Sequence, residues 1–130
     1  ANRTAANRDA LIEQIRPLAQ HTALHSFAPA EPPSDLPTGA LVINATSAGL
    51  NVDDPLPIDL AALPAPRGVY DMIYNPPETA LLAAAKTRSI PTANGLSMLV
   101  HQGVRALEIW SEADVPAEAM ARAVGLNSAA

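Results

Sequence analysis

Apolar and polar positions change period several times along the chain, and each change marks an element. Between Arg8 and Gln20, the residues Leu11, Ile12, Ile15, Leu18 and Ala19 fall on one face at helical spacing. This predicts an amphipathic helix that frays at Pro17. Thr22 to Phe27 reads as a short strand, and four prolines between Pro29 and Pro37 mark a surface loop. Ala40 to Asn44 is an apolar run, as expected of a strand covered on both faces. Val52 to Pro66 is interrupted by prolines around Ile58, Leu60 and Leu63, so at most one short helix fits there. Gly68 to Asp71 and Arg88 to Thr92 are further β-type runs, with a helix between them over Pro77 to Lys86. Two more helices follow: one opens at Leu96-Ser97 and runs to Ser111, and the other starts at Pro116 and ends near Gly125.

The resulting order is helix, three strands, helix, strand and two helices, which fits the later part of an α/β sheet. In open parallel sheets ligands bind where the carboxyl ends of the strands diverge. Met72, Tyr74 and Asn75 follow one strand and Asn94-Gly95 follows another, so two such ends side by side would make one site.

Composition narrows the class. At 130 residues and 48% apolar content there is one ordinary domain's worth of chain. A net charge of −5 argues against a nucleic-acid surface, and any anionic ligand must be held locally. Cysteine is absent, so disulfides and thiolate metal sites are excluded. His21, His25 and His101 have no metal-ligand or triad spacing, so no metal is expected. No apolar run reaches membrane-spanning length and no leader pattern is visible, which makes a cytoplasmic protein the default.

Three ordered stretches carry a family resemblance: Asn44-Ala-Thr-Ser-Ala-Gly49, then Asp71-Met-Ile-Tyr-Asn-Pro-Pro-Glu-Thr79, then Asn94-Gly-Leu-Ser-Met-Leu-Val-His-Gln102. Together with Asn2-Arg3-Thr4 they resemble the carboxyl-terminal half of the shikimate dehydrogenases, from Asn2 to about Trp110. The departure is Ala80, where the family often has proline. The resemblance implies a Rossmann-like parallel sheet, the later part of a doubly wound NADP-binding domain, with carboxyl-terminal helices. It divides the chain into residues 1–96, a partial NADP-binding domain, and 97–130, helices bordering a substrate cleft.

The same resemblance implies site residues. Asn2, Arg3 and Thr4, extending toward Asn7 or Arg8, would hold the 2′-phosphate of NADP, a job an arginine fork suits because it grips phosphate bidentately. Asn44, Ala45, Thr46 and Ser47 would lie near the nicotinamide or ribose, although these residues also fit a simple Asx or Ser/Thr turn. Met72 would border the nicotinamide, and the missing side chain of Gly95 would leave room for the ring. Asp71 reads as a residue that holds a turn. Tyr74 and Gln102 would hydrogen-bond shikimate or 3-dehydroshikimate, using groups that add no charge.

The implied reaction is reversible, NADP-dependent reduction of 3-dehydroshikimate to shikimate, in chorismate and aromatic amino-acid biosynthesis. The family's catalytic lysine and aspartate match nothing here, so no catalytic residue is assigned. Lys86, the lone lysine, lies late in a helix. Quinate/shikimate dehydrogenases and a non-catalytic nucleotide-binding regulatory module stay open as alternatives, as does a homodimer. The six glycines form no phosphate-binding cluster, so the chain is expected to lack the first βα unit and the family's amino-terminal substrate domain, and to be inactive alone.

Overall fold

The computed structural model describes residues 1–126, so the last residues of the expected 97–130 unit, 127–130, lie outside the described residues. The elements are α1 (Ala5–Ile15), β1 (Leu41–Asn44), β2 (Gly68–Asp71), α2 (Ala80–Thr87), β3 (Thr92–Asn94), α3 (Leu96–Ser111) and α4 (Ala117–Ala123). Single 3-10 turns sit at Arg16–Leu18 and Leu60–Ala62. The strands form one parallel sheet in the order β1-β2-β3. In its register Val42 lies opposite Val69 and Asn44 opposite Asp71, while Asp71 is also level with Asn94 on β3.

Local chemistry sets the boundaries of the helix that crosses between β2 and β3. The Thr79 side chain accepts from Leu82 N and caps α2, and the Ala/Leu-rich run that follows has high helix propensity. At the other end Ser89 takes a left-handed conformation with φ 56°, and Ile90 N returns to Ala85 O at 3.0 Å. That turn consumes Arg88 to Ile90, which is why β3 spans Thr92–Asn94 and not the expected Arg88 to Thr92. The helix buries Leu81, Leu82 and Ala85 against Val69 and Leu60, with Val42, Ile58, Leu63 and Ile90 packed around them.

Two other expectations change. Thr22 to Phe27 forms no strand; its link to the amino terminus is a single long bond, Asn2 N to Phe27 O at 3.4 Å. A strand needs a ladder of such bonds, and among the described residues this segment has no partner strand. β1 is not covered on both faces either: Val42 faces the core, whereas Leu41 and Ile43 on the opposite face are 50% and 57% exposed. The α1 face is likewise open at Leu11 and Leu18, with Ile12 and Ile15 half-buried. α3 does find a neighbour. Its Val100 and Val104 are buried, α4 packs against it, and Met120 approaches Gly103 so closely that an added Cβ would lie 2.8 Å from Cε.

Candidate functional site

Past the carboxyl end of β1 the chain makes a tight turn built by one side chain. Asn44 Oδ1 accepts from Thr46 N at 3.1 Å and from Thr46 Oγ1 at 2.7 Å, and Asn44 Nδ2 donates to Ala48 O at 3.0 Å. Ala48 N in turn donates to Thr46 Oγ1 at 3.1 Å. The turn presents Thr46, Ser47 and Ala48 to a cleft of about 670 Å³. Gly49 follows with φ 112°, a conformation that favours glycine, and a Cβ added there would lie 3.3 Å from both Ile73 and Thr79.

The opposite wall of the cleft is the start of α1, with Asn2, Arg3, Thr4 and Asn7. Asn2 Oδ1 accepts from Thr4 N at 2.8 Å, which turns the chain into the helix. Thr4 occupies the N-cap position but makes no side-chain cap bond, so its hydroxyl and the first helical N–H groups are available to a ligand. A helix amino terminus carries partial positive charge, and Arg3, exposed and without an ion-pair partner among the described residues, adds a full one.

A third wall, Asn51 and Asp54 to Pro57, was not singled out in the sequence. Asp54 is the one acidic side chain lining the cleft, but its carboxylate is turned into its own loop. Oδ2 accepts from Gly49 N and Asn51 N, both at 3.0 Å. Those backbone N–H groups, with the Asn51 amide, hold the Asp54 carboxyl below its ordinary range.

The cleft therefore gathers Asn2, Arg3, Thr4, Asn7, Thr46 and Ser47 from opposite ends of the sequence. Asn44 does not line it: the residue is 3% exposed and its amide is wholly committed to internal bonds. Ala45 is exposed beside the turn but also does not line the cleft. Met72 and Tyr74 follow β2, Gly95 follows β3 and lies against Met72, and Gln102 sits in the second turn of α3. Met72 and Tyr74 are 36% and 44% exposed, and Gln102 is exposed. Gly95 is buried. A Cβ on Gly95 would fall 2.0 Å from Met72 O, so the missing side chain makes room for the β2 backbone. Gly95 N also donates to Ile73 O at 3.1 Å, and Asn94 Nδ2 donates to Pro77 O at 2.9 Å, which joins the two strand-end loops.

Sequence reasoning gave Asp71 too small a part. Its side chain is fully buried and accepts from Asn44, Thr79 and Ile73 N, so it joins β1, β2 and α2 beneath the site. The signal in the sequence was a polar residue closing each of two apolar strands. Among the described residues no group of three side chains could hold a metal, and no helix is long and apolar enough to cross a membrane.

A parallel sheet with a cleft at the carboxyl end of β1, lined also by a helix amino terminus, fits a Rossmann-type α/β fold. Residues 95–124 match the profile of the Shikimate 5'-dehydrogenase C-terminal domain. The shikimate dehydrogenase (NADP(+)) of Rhodopseudomonas palustris (strain TIE-1) is 44% identical over 108 residues, which are 83% of this chain and 36% of that protein. Among solved structures, a shikimate dehydrogenase in complex with NADP+ superimposes with a TM-score of 0.59 at 39% identity, over 65% of this chain and 30% of that one. The ligand-free 5-ketofructose reductase of Gluconobacter sp. strain CHM43 superimposes with a TM-score of 0.72 at 33% identity, over 93% of this chain and 44% of that one. The chain is thus similar to the carboxyl-terminal part of the shikimate dehydrogenases, and it spans little more than a third of the length of the first of these relatives.

Proposed function

We propose that this chain forms the cofactor-binding part of an NADP-dependent shikimate dehydrogenase, which reversibly reduces 3-dehydroshikimate to shikimate. The observation that carries the reading is the convergence of Asn2, Arg3, Thr4 and Asn7 with Thr46 and Ser47 on one cleft. The donor set fits a phosphorylated nucleotide: a guanidinium, a free hydroxyl and a helix amino terminus on one wall, small polar residues on the other. Bound NADPH would supply the hydride. Arg3 and Thr4 would hold its 2′-phosphate, while the Thr46-Ser47 turn would orient the part nearer the reacting carbon.

Tyr74 and Gln102, exposed at the neighbouring strand end, would hydrogen-bond the polyol substrate, with Met72 between the two ligands. The general acid and base match no residue of this chain and would come from another part of the enzyme, so this part contributes binding and orientation. The likeness to a 5-ketofructose reductase supports a second reading of the substrate, a different polyhydroxylated ketone reduced on the same cofactor platform. Work in the cytoplasm and assembly as a homodimer complete the proposal.

The test is cofactor discrimination in the intact protein. Arg3→Asp should weaken NADP far more than NAD, by roughly 1.5–3 kcal/mol for a lost charge-assisted contact. Equal losses for the two dinucleotides in binding titrations would remove Arg3 from the phosphate site.

A further inference from the structure

Beneath the cleft a chain of hydrogen bonds runs from Asp71 through Asn44 to the Thr46 turn. Asp71 is 0% exposed, and among the described residues its carboxylate forms no salt bridge and is met by uncharged donors. Oδ2 accepts from Thr79 Oγ1 at 2.6 Å; Oδ1 accepts from Asn44 Nδ2 at 3.0 Å and from Ile73 N at 3.1 Å. Each of these neighbours turns a donor toward the carboxyl oxygens. Thr79 spends its proton on Asp71 and accepts from Leu82 N, which caps α2.

Asn44 presents its NH2 group to both Asp71 and Ala48 O, which leaves Oδ1 facing the turn. Oδ1 then takes both the N–H and the hydroxyl proton of Thr46, and the Thr46 oxygen can accept only from Ala48 N. Asp71 therefore shares with the turn's own Ala48 O and Thr46 N the setting of the Asn44 amide, and it is the partner that ties this turn to β2 and α2. Helix capping alone would not need the Oδ1 arm. That arm also holds Ile73 N, which anchors the loop carrying Met72 and Tyr74.

We propose that Asp71 is a positioning residue for the cofactor site: it acts through Asn44 to hold the Thr46–Ala48 turn in its ligand-binding form. The choice of NADP as ligand rests on the reading above; the orientation of the turn does not. Asp71→Asn replaces the carboxylate with an amide that offers one acceptor oxygen to three donors, so the tie from β2 to Asn44 weakens while the bonds of Asn44 within the turn and the side-chain volume are kept.

The experiment compares wild type, Asp71→Asn, Asn44→Ala and Thr79→Val in the intact protein by three measurements: thermal midpoint, NADP titration, and millisecond amide hydrogen exchange of the peptide spanning residues 44–49. Asp71→Asn should speed exchange at the Thr46 and Ala48 amides and weaken NADP, each by about tenfold, the scale of one lost charge-assisted bond. Asn44→Ala cuts the same link from its other end and should give losses of the same size, which keeps the test alive should Asp71→Asn fail to fold. Thr79→Val removes the helix cap and should lower the midpoint while leaving exchange in the 44–49 peptide and NADP affinity within about twofold of wild type.

Unchanged exchange in Asp71→Asn overturns the proposal, as does wild-type NADP affinity in Asn44→Ala. So does a Thr79→Val protein that loosens the turn equally, because the network would then be reporting general stability. A wild-type protein that binds no NADP refutes the proposed function instead, and the exchange arm still decides the role of Asp71.

Discussion

The two walls of the cleft are built in opposite ways. The wall at the end of β1 rests on a buried network in which Asn44, Asp71 and Thr79 are 3%, 0% and 2% exposed and every side-chain polar atom is partnered. The facing wall, from Asn2 to Asn7, rests on α1, which buries no residue. It is tied to the Phe27 segment by the Asn2 N–Phe27 O bond at 3.4 Å and the exposed Ser26 Oγ–Asp9 Oδ1 bond at 3.2 Å. One wall is rigid before any ligand arrives; the other presents charge on a lightly held helix. A site made this way separates orientation, which needs rigidity, from anion capture, which needs an accessible cation.

The largest expected effect tests that asymmetry directly. Asp71→Ala removes the acceptor of three buried donors and should cost about 3–4 kcal/mol of stability by chemical denaturation. Arg3→Ala, on the other wall, should change stability by less than about 0.5 kcal/mol, because its side chain is solvated and unpaired. Comparable losses would mean that the α1 wall is as integral to the fold as the sheet. That result would break the comparison.

Gly95→Ala sharpens it at the second strand end. The new methyl would sit 2.0 Å from Met72 O and 2.6 Å from Met72 C, both backbone atoms that cannot swing aside. Either β2 shifts away from α3 or the Gly95 N–Ile73 O bond breaks, at about 2–3 kcal/mol for overpacking a close contact. The same methyl at Gly125 meets nothing within 4 Å, so there the cost comes only from its φ of 77°. A Gly95→Ala protein with wild-type stability would show that the strand ends are more pliable than the network beneath them implies.

The contrast between the walls also explains what could be read in the sequence. β2 lies where the pattern predicted it, and α3 within one residue, because their signals are local: an apolar run closed by a polar residue, and an i, i+4 stripe after Asn94-Gly95. β3 was displaced because α2's last turn is completed by Ser89 in a left-handed conformation, and no propensity rule anticipates that of serine. The expected strand at Thr22 to Phe27 had β-type residues and no ladder partner, and pairing is a property of the whole sheet. Leu41 and Ile43 looked like two-sided burial because an apolar run says nothing about which neighbours cover it. The residues that reach the cleft from the α1 wall were legible as a motif. Asp71 was not, since its partners stand 27 residues before it and 8 after it, and only the parallel register brings them together.

The smallest effect concerns Asp54, which clips the loop at the cleft's third wall. Hydrogen bonds from Asn51 and Gly49 to the ionised carboxylate lower its pKa below the ordinary value. The sign follows from linkage: a carboxyl whose folded pKa lies below its unfolded one stabilises the fold above the unfolded value, and this contribution is lost as pH falls through the folded value. With the unfolded reference near 3.9, the window opens only below about pH 4. Asp54→Asn keeps an acceptor for one N–H but has no charge to lose. Wild type should therefore have the higher thermal midpoint at pH 7, and the gap should close as both proteins are taken below about pH 4. The gap itself will be small, because the group is well solvated and its bonds compete with water. A gap that stays constant through the acid range would mean that the loop is held by shape alone. The third wall would then be a second rigid one, leaving α1 as the only adjustable part of the site.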